Sequence, residues 1–272
     1  MRGLERLMLE PHPFLTVSRV VFRLLRLGRF ETRVRIGAVE RPHYAHCVLN
    51  AAVLARKLGH HRMSVMELGV AGGNGLLALE RLARETSIAT DVAIDLYGFD
   101  TGVGLPEPVD YRDLPYHWKR GFYRTDVQRL RRRIAKAQLV LGDIRVTGKS
   151  FFSQYDPAPI GAIIFDLDLY SATCAGLELL EGGERYYLPR VFCYFDDIIG
   201  TEVELYNDHT GERLAINEFN STHERVKIEP AYHLLSRKVL DPWCHQIRIC
   251  HFFDHSQYNN FISTEDQQLC CK

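Results

Sequence analysis

The sequence carries no net charge: 34 Lys and Arg stand against 34 Asp and Glu over 272 residues. That balance excludes a generally basic nucleic-acid binder, which needs a cationic surplus to displace counterions from phosphates. No apolar run approaches the ~20 residues that span a bilayer. No signal-peptide pattern is present, because Glu5 and Glu10 interrupt the N-terminal apolar residues and no small-residue cleavage site follows. The cysteines lack pattern: Cys47, Cys174, Cys193, Cys244, Cys250, Cys270 and Cys271 are odd in number and form no C-x-x-C pair. This argues against a disulfide framework or thiolate zinc site and for a reducing, cytoplasmic setting. There is also no low-complexity tract, internal repeat or Pro/Gly/Ser linker. With 46% hydrophobic and 25% charged residues, the composition is that of an ordinary globular protein long enough to bury a sizeable core.

The neutral total hides an uneven distribution. Residues 1–41 hold nine Arg and four Glu, a net +5, which leaves the rest of the chain at −5. Between Phe14 and Phe30, Val17, Val20, Val21, Leu24, Leu25 and Leu27 are interleaved with Arg19, Arg23, Arg26 and Arg29. Arginines spaced three or four apart share one helical face. Such a helix suits a membrane surface; the plainer expectation is packing on its own domain or on a second subunit. Residues 42–59 read as another helix, with Pro42 in the first turn and Gly59 as C-cap. Beyond it, apolar strands at 64–68, 92–99, 138–141, 160–165, 191–195, 225–229 and 246–253 are interspersed with helices at 76–85, 127–136 and 173–180. That alternation predicts an α/β fold, a mostly parallel seven-stranded sheet with helices on both faces. The expected partition is an N-terminal helical extension over 1–59 and one domain over 60–272. Residues 101–126, with Pro106, Pro108, Pro115, Tyr111, Tyr116, Trp118 and Tyr123, show no clear periodicity. A long loop leaving the carboxyl end of a strand sits where open α/β sheets bind ligands.

The chemistry gathers at strand ends. The run VMELGVAGGNG (65–75) follows a strand and opens a helix. Its small residues allow a tight turn and close approach of a ligand, and the helix N-terminus can receive an anionic group. It is not a dinucleotide fingerprint: counted from Gly69, the second and third glycines are replaced by Ala71 and Asn74, which argues against a nucleotide-dependent oxidoreductase. Asp100 ends the second strand, where an acid can accept from both hydroxyls of a ribose. Asp143 ends the third, where it can accept from an adenine amino group. An isolated strand-end Asp is commonly a cap; the ordered series of turn, acid and acid is what points to a nucleoside cofactor. Two further strands end in paired acids, Asp166 with Asp168 and Asp196 with Asp197. Adjacent parallel strands lie about 4.8 Å apart, so these carboxylates converge, and they repel unless protons or a cation neutralise them. All-oxygen ligation favours a hard ion such as Mg²⁺.

The order of these motifs resembles class I S-adenosylmethionine-dependent methyltransferases. The segments GFDTGVGLPEP (98–108), FDLDLYSAT (165–173) and FDDI (195–198) resemble the macrocin O-methyltransferase (TylF-type) family over roughly residues 60–200. The resemblance implies a Rossmann-like fold and O-methyl transfer from S-adenosylmethionine to a hydroxyl-bearing small molecule, such as a sugar or glycosylated natural product, with Mg²⁺ assisting. By position it implies that Glu67, Gly69, Ala71 and Gly73 surround the methionine moiety, that Asp100 holds the ribose and that Asp143 lies beside the adenine. Asp166, Asp196 and Asp197 are the implied metal ligands. Asp166 and Asp168 are the catalytic candidates, with His209 and His255 as further possible bases. The chain departs from the family in its GVAGGNG turn and its C-terminal third. A homo-oligomer without a nucleic-acid partner is expected; a non-catalytic binding or assembly protein on the same fold is the competing reading. The basic stretch Arg129, Arg131, Arg132, Arg133 and Lys136 reads as a solvated face. His251 and His255 are four apart but fall in a strand and its turn, which weakens a paired-ligand reading.

Overall fold

The structure, a computed structural model, describes residues 13–263. Glu5, Glu10, Cys270 and Cys271 lie outside the described residues. Seven strands form one sheet: β1 (Arg62–Leu68), β2 (Ala93–Asp100), β3 (Gln138–Leu141), β4 (Ile160–Phe165), β5 (Tyr187–Phe195), β6 (Val226–Pro230) and β7 (Ile247–Phe252). Their order is β3-β2-β1-β4-β5-β7-β6. The pairs among β1 to β5 are parallel, and β7 runs antiparallel to both β5 and β6. The central strands are continuous apolar runs because both their faces are covered: every residue of β4 is buried, as is β1 beyond Arg62.

The helices are α1 (Pro13–Leu24), α2 (Phe30–Arg35), α3 (Pro42–Lys57), α4 (Asn74–Thr90), α5 (Val127–Arg133), α6 (Ile144–Tyr155), α7 (Tyr170–Leu177), α8 (Gly211–Thr222), α9 (Tyr232–Leu235) and α10 (Trp243–Gln246). The single helix expected over 14–30 is interrupted. Arg26 and Gly28 take left-handed φ angles of 49° and 77°, which closes α1 before α2 begins. Helix α3, assigned to the extension by sequence, lies in the main core with Tyr44, Ala45, Cys47, Val48, Ala51, Ala52 and Ala55 all buried. Small residues bring it close to the sheet: a Cβ on Gly161 of β4 would stand 2.9 Å from the Ala51 methyl.

Side chains alternate across each strand, so two apolar clusters form, one per face. Val65, Ala162 and Ile164 join the α3 and α4 side, while Met66, Leu68, Ile163 and Phe165 join the α6 to α8 side. A third, small cluster of Leu114, Trp118 and Leu169 fastens the 101–126 segment to the start of α7. Five parallel strands therefore present their carboxyl ends along one edge. Among the described residues, no helix is long and apolar enough to cross a membrane.

Candidate functional site

At that edge β1 runs into the glycine-rich turn. Gly69 has φ +93°, and a Cβ there would lie 1.8 Å from the Asp166 carbonyl oxygen, so only glycine fits. Ala71 is held at φ 44°, a left-handed conformation that an L-residue adopts at a cost. Asp100 at the end of β2 holds this turn in place. Its Oδ2 accepts from the backbone N–H groups of Val70 (3.1 Å) and Ala71 (2.9 Å). Its Oδ1 accepts from Gly102 N–H (2.6 Å) and from the Thr125 hydroxyl (3.0 Å). One carboxylate thus ties the turn to both ends of the long loop.

Glu67 lies behind the turn, 1% exposed. Its Oε1 accepts from the Tyr44 hydroxyl at 3.0 Å, and its Oε2 has no partner. Burial pushes this carboxyl up to about 8. Gly75 lets helix α4 close over it, since a Cβ there would stand 1.9 Å from Glu67 Oε1. Gly73 turns the chain into α4 with φ +80° and packs on Leu130. Asp143 caps α6 by accepting from Arg145 N–H, and its hydrogen bond with the Arg145 guanidinium holds its carboxyl below the usual range.

A cavity of about 310 Å³ opens over these residues, at the small end of the range for small-molecule sites. Gly69, Ala71, Asp100 and Asp143 line one side, Asp166, Asp168 and Asp196 line another, and Leu105 and Tyr123 from the long loop face it. The structure therefore gathers four of the six expected cofactor residues on the wall, with Glu67 and Gly73 supporting the turn from behind.

The acids at the ends of β4 and β5 are crowded. Carboxylate oxygens of Asp166, Asp168 and Asp197 lie within 4.8 Å of one another. Asp168 has φ 61°, which turns the chain back so that its own N–H donates to Asp197 Oδ2 at 3.0 Å. Asp197 Oδ1 accepts from the Tyr206 hydroxyl at 2.8 Å, and Asp197 N–H donates to Glu212 Oε2 at 2.9 Å. Glu212 is fully buried, and its Oε1 has no partner. Burial first, then mutual repulsion, raises Asp166, Asp168 and Glu212 well above the carboxylate range, and burial chiefly pushes Asp197 up to about 7. Asp196 accepts from the Tyr194 hydroxyl and stands outside the three-acid group. The converging set is thus Asp166, Asp168 and Asp197, whereas the resemblance implies Asp196 in place of Asp168. Such an all-oxygen set, crowded and largely buried, fits a hard divalent cation, whose charge would offset the repulsion.

The further possible bases are placed differently. His255 is hydrogen-bonded to the Tyr187 carbonyl at the start of β5, at the opposite edge of the sheet, and this corrects its candidacy. His251 contacts the Tyr258 hydroxyl there. His209 is exposed on the approach to α8. Arg129, Arg131, Arg132, Arg133 and Lys136 are all exposed, as expected of a solvated face. Sequence reasoning missed Tyr44, Tyr194, Tyr206, Glu212 and Asp113. Asp113 is buried in the long loop and accepts from Val109 N–H (2.8 Å), Ser171 N–H (2.8 Å) and the Ser171 hydroxyl (2.9 Å), pinning the loop to α7. Tyr194 alone carried a signal, sitting two residues before Asp196 on the same strand end.

No family model and no curated protein matches the chain. Solved structures do. A crystal structure of CalS11, described as a calicheamicin methyltransferase, is 21% identical with a TM-score of 0.52, and the match covers 90% of this chain and 95% of that one. An apo structure of CalS11, described as a TDP-rhamnose 3'-O-methyltransferase, matches at 19% identity and a TM-score of 0.44 over 93% of this chain and 92% of that one. The O-methyltransferase TomG from Streptomyces achromogenes, solved with SAM, matches at 13% identity and a TM-score of 0.43 over 92% of this chain and 94% of that one. The first of these likenesses, together with the strand order, shows a shared fold.

Proposed function

We propose that this chain, which has the Rossmann-like class I methyltransferase fold, is an S-adenosylmethionine-dependent O-methyltransferase. Its acceptor would be a hydroxyl of a small molecule, a sugar or a glycosylated natural product, and a divalent cation such as Mg²⁺ would assist. The observation that carries the reading is the convergence of Asp166, Asp168 and Asp197 beside a cavity whose other wall is the glycine turn and Asp100. The likeness in fold to CalS11, a calicheamicin methyltransferase, supports it.

S-adenosylmethionine supplies, when bound, an electrophilic methyl group on its sulfonium. Asp166, Asp168 and Asp197 would hold a divalent cation, which would supply Lewis acidity that favours loss of a hydroxyl proton. The chain's own residues do the rest. Gly69 and Ala71 let the backbone approach the cofactor closely. Asp100, which lines the cavity, would hold the ribose. Without the cation, burial and the neighbouring acids hold the Asp168 carboxyl well above the ordinary range; with the cation bound, Asp168 would be a ligand that helps orient the acceptor's hydroxyl, whose proton would pass to water. Tyr123 and Leu105 would border the bound reactants on the long-loop side. Holding the reactants in line in this way can supply roughly 7–11 kcal/mol.

Calorimetry with S-adenosylhomocysteine tests the reading. The folded protein should bind it, and Asp100→Ala should lower the affinity at least about tenfold, the equivalent of one charge-assisted hydrogen bond. A folded wild-type protein that binds neither S-adenosylhomocysteine nor S-adenosylmethionine refutes it.

A further inference from the structure

Helix α1 turns one side to the domain and an apolar side to solvent. Leu15, Ser18, Arg19 and Phe22 are half-buried against the body, and Arg19 donates to Asp241 at 2.8 Å. On the opposite side Phe14, Val17, Val21 and Leu24 recur at helical spacing, continued by Leu25 and Leu27, and all six are exposed. Phe14 is 78% exposed, Leu24 71% and Leu25 66%. A contiguous apolar face of that kind marks a contact with something outside the domain.

The charges around the face say what that is. Residues 13–30 hold four arginines and no Asp or Glu. Arg19 and Arg26 reach acids of the body, Asp241 and Glu85. Arg23 and Arg29 are exposed and have no ion-pair partner among the described residues. A groove of about 480 Å³ runs between the helix and the body, lined by Arg19, Arg23 and Arg41, by Asp241, which pairs with Arg19, and by apolar residues such as Val39 and Leu240. A two-fold contact of this face with a second copy would offer Arg23 and Arg29 no acid from residues 13–30 of either copy. Anionic headgroups compensate them directly, while acyl chains receive the apolar side. We propose that α1 docks the protein on a lipid bilayer bearing anionic headgroups, lying in the interface with Phe14, Val17, Val21 and Leu24 buried. The exposed Arg23 and Arg29 then meet the headgroup layer, and the −5 charge of residues 42–272 stays on the aqueous side. The inference is independent of the catalytic reading.

The test is co-sedimentation of the full chain with vesicles of phosphatidylcholine alone or of phosphatidylcholine mixed with phosphatidylglycerol, with analytical ultracentrifugation in parallel. Binding is expected to the mixed vesicles only and to weaken with salt. Arg23→Gln with Arg29→Gln should lower partitioning about fivefold per arginine. Val17→Asp with Leu24→Asp should abolish binding while leaving the thermal unfolding midpoint of the domain unchanged, which separates lost docking from lost folding. Equal binding to neutral vesicles, or no binding to either, overturns the proposal. A dimer that the same Val17/Leu24 variant converts to monomer, without vesicle binding, gives the face to a second copy instead and also overturns it.

Discussion

Replacing Glu67 by Gln should remove a loss of stability that the native protein undergoes as pH rises. Burial pushes this carboxyl up to about 8 from its ordinary 4.5, outweighing the Tyr44 hydrogen bond and the Arg41 charge. Below pH 4.5 the acid is protonated in both folded and unfolded chains and adds no pH dependence. Between pH 4.5 and about 8 the unfolded chain releases the proton and the fold retains it. Stability therefore declines with rising pH by ~1.4 kcal/mol per unit. Above about pH 8 the whole cost is in place, on the order of 3–5 kcal/mol. Glutamine cannot ionise and lacks this decline. Its carbonyl can keep the Tyr44 bond, and its NH₂ falls where Oε2 finds no partner, as the proton of the neutral native carboxyl also does, so near pH 5 the two side chains carry a similar unsatisfied-donor cost. Glu67→Gln should thus differ little from the native protein near pH 5 and be more stable near pH 9. Urea denaturation across that range reads both curves. Curves that stay parallel refute the raised carboxyl, and with it the claim that this acid is held neutral behind the turn.

Gly69→Ala should destabilise the fold by more than about 3 kcal/mol, because its methyl would overlap the Asp166 carbonyl at a positive φ; an unchanged thermal midpoint contradicts the packing described. Asp113→Ala strands the Val109 and Ser171 donors and should cost about 2–3 kcal/mol. Limited proteolysis should then cut within 101–126 sooner while hydrogen exchange in β1 and β4 stays slow. Magnesium should raise the unfolding temperature more near pH 8 than near pH 6, because the cation displaces protons from acids such as Asp197, whose carboxyl is pushed up to about 7. Asp197→Asn should remove that rise, and a rise that survives the substitution places the cation elsewhere.

What the sequence made legible follows from burial on both faces. The carboxyl-terminal half of a covered parallel strand is apolar up to the acid at its tip, so LYGFD, IIFDLD and CYFDD announce both the strand and that acid. Strands at 138–141 and 160–165 are found where expected. Helix α6, IRVTGKSFFSQY, escaped because it buries only Ile144 and Phe151 and carries Gly148, leaving no apolar stripe to read. Helix α8 escaped for a related reason: its buried face includes Glu212, and no spacing rule connects that residue to Asp197. The choice between Asp168 and Asp196 in the acid group was out of reach. It turns on one left-handed φ at Asp168 and on the Tyr194 hydroxyl that engages Asp196, neither of which a hydrophobic pattern records.

The reversal of β7 has an architectural consequence. Ile247 at its start pairs with Tyr194, so residues 231–246, between β6 and β7, are delivered to the same edge as the acids. Gln246 already donates from there to the Asp196 carbonyl at 2.7 Å. A parallel last strand would have sent that segment to the far edge, beside His255. The turn, Asp100 and the β4 and β5 acids are wired to one another by backbone hydrogen bonds, whereas 231–246 is a late connection attached to an edge hairpin. Ala231, Leu234, Trp243 and Cys244 anchor this connection in the core beside α3, so only its largely exposed middle, residues 236–240, is free to vary in sequence while the two anchored ends stay fixed.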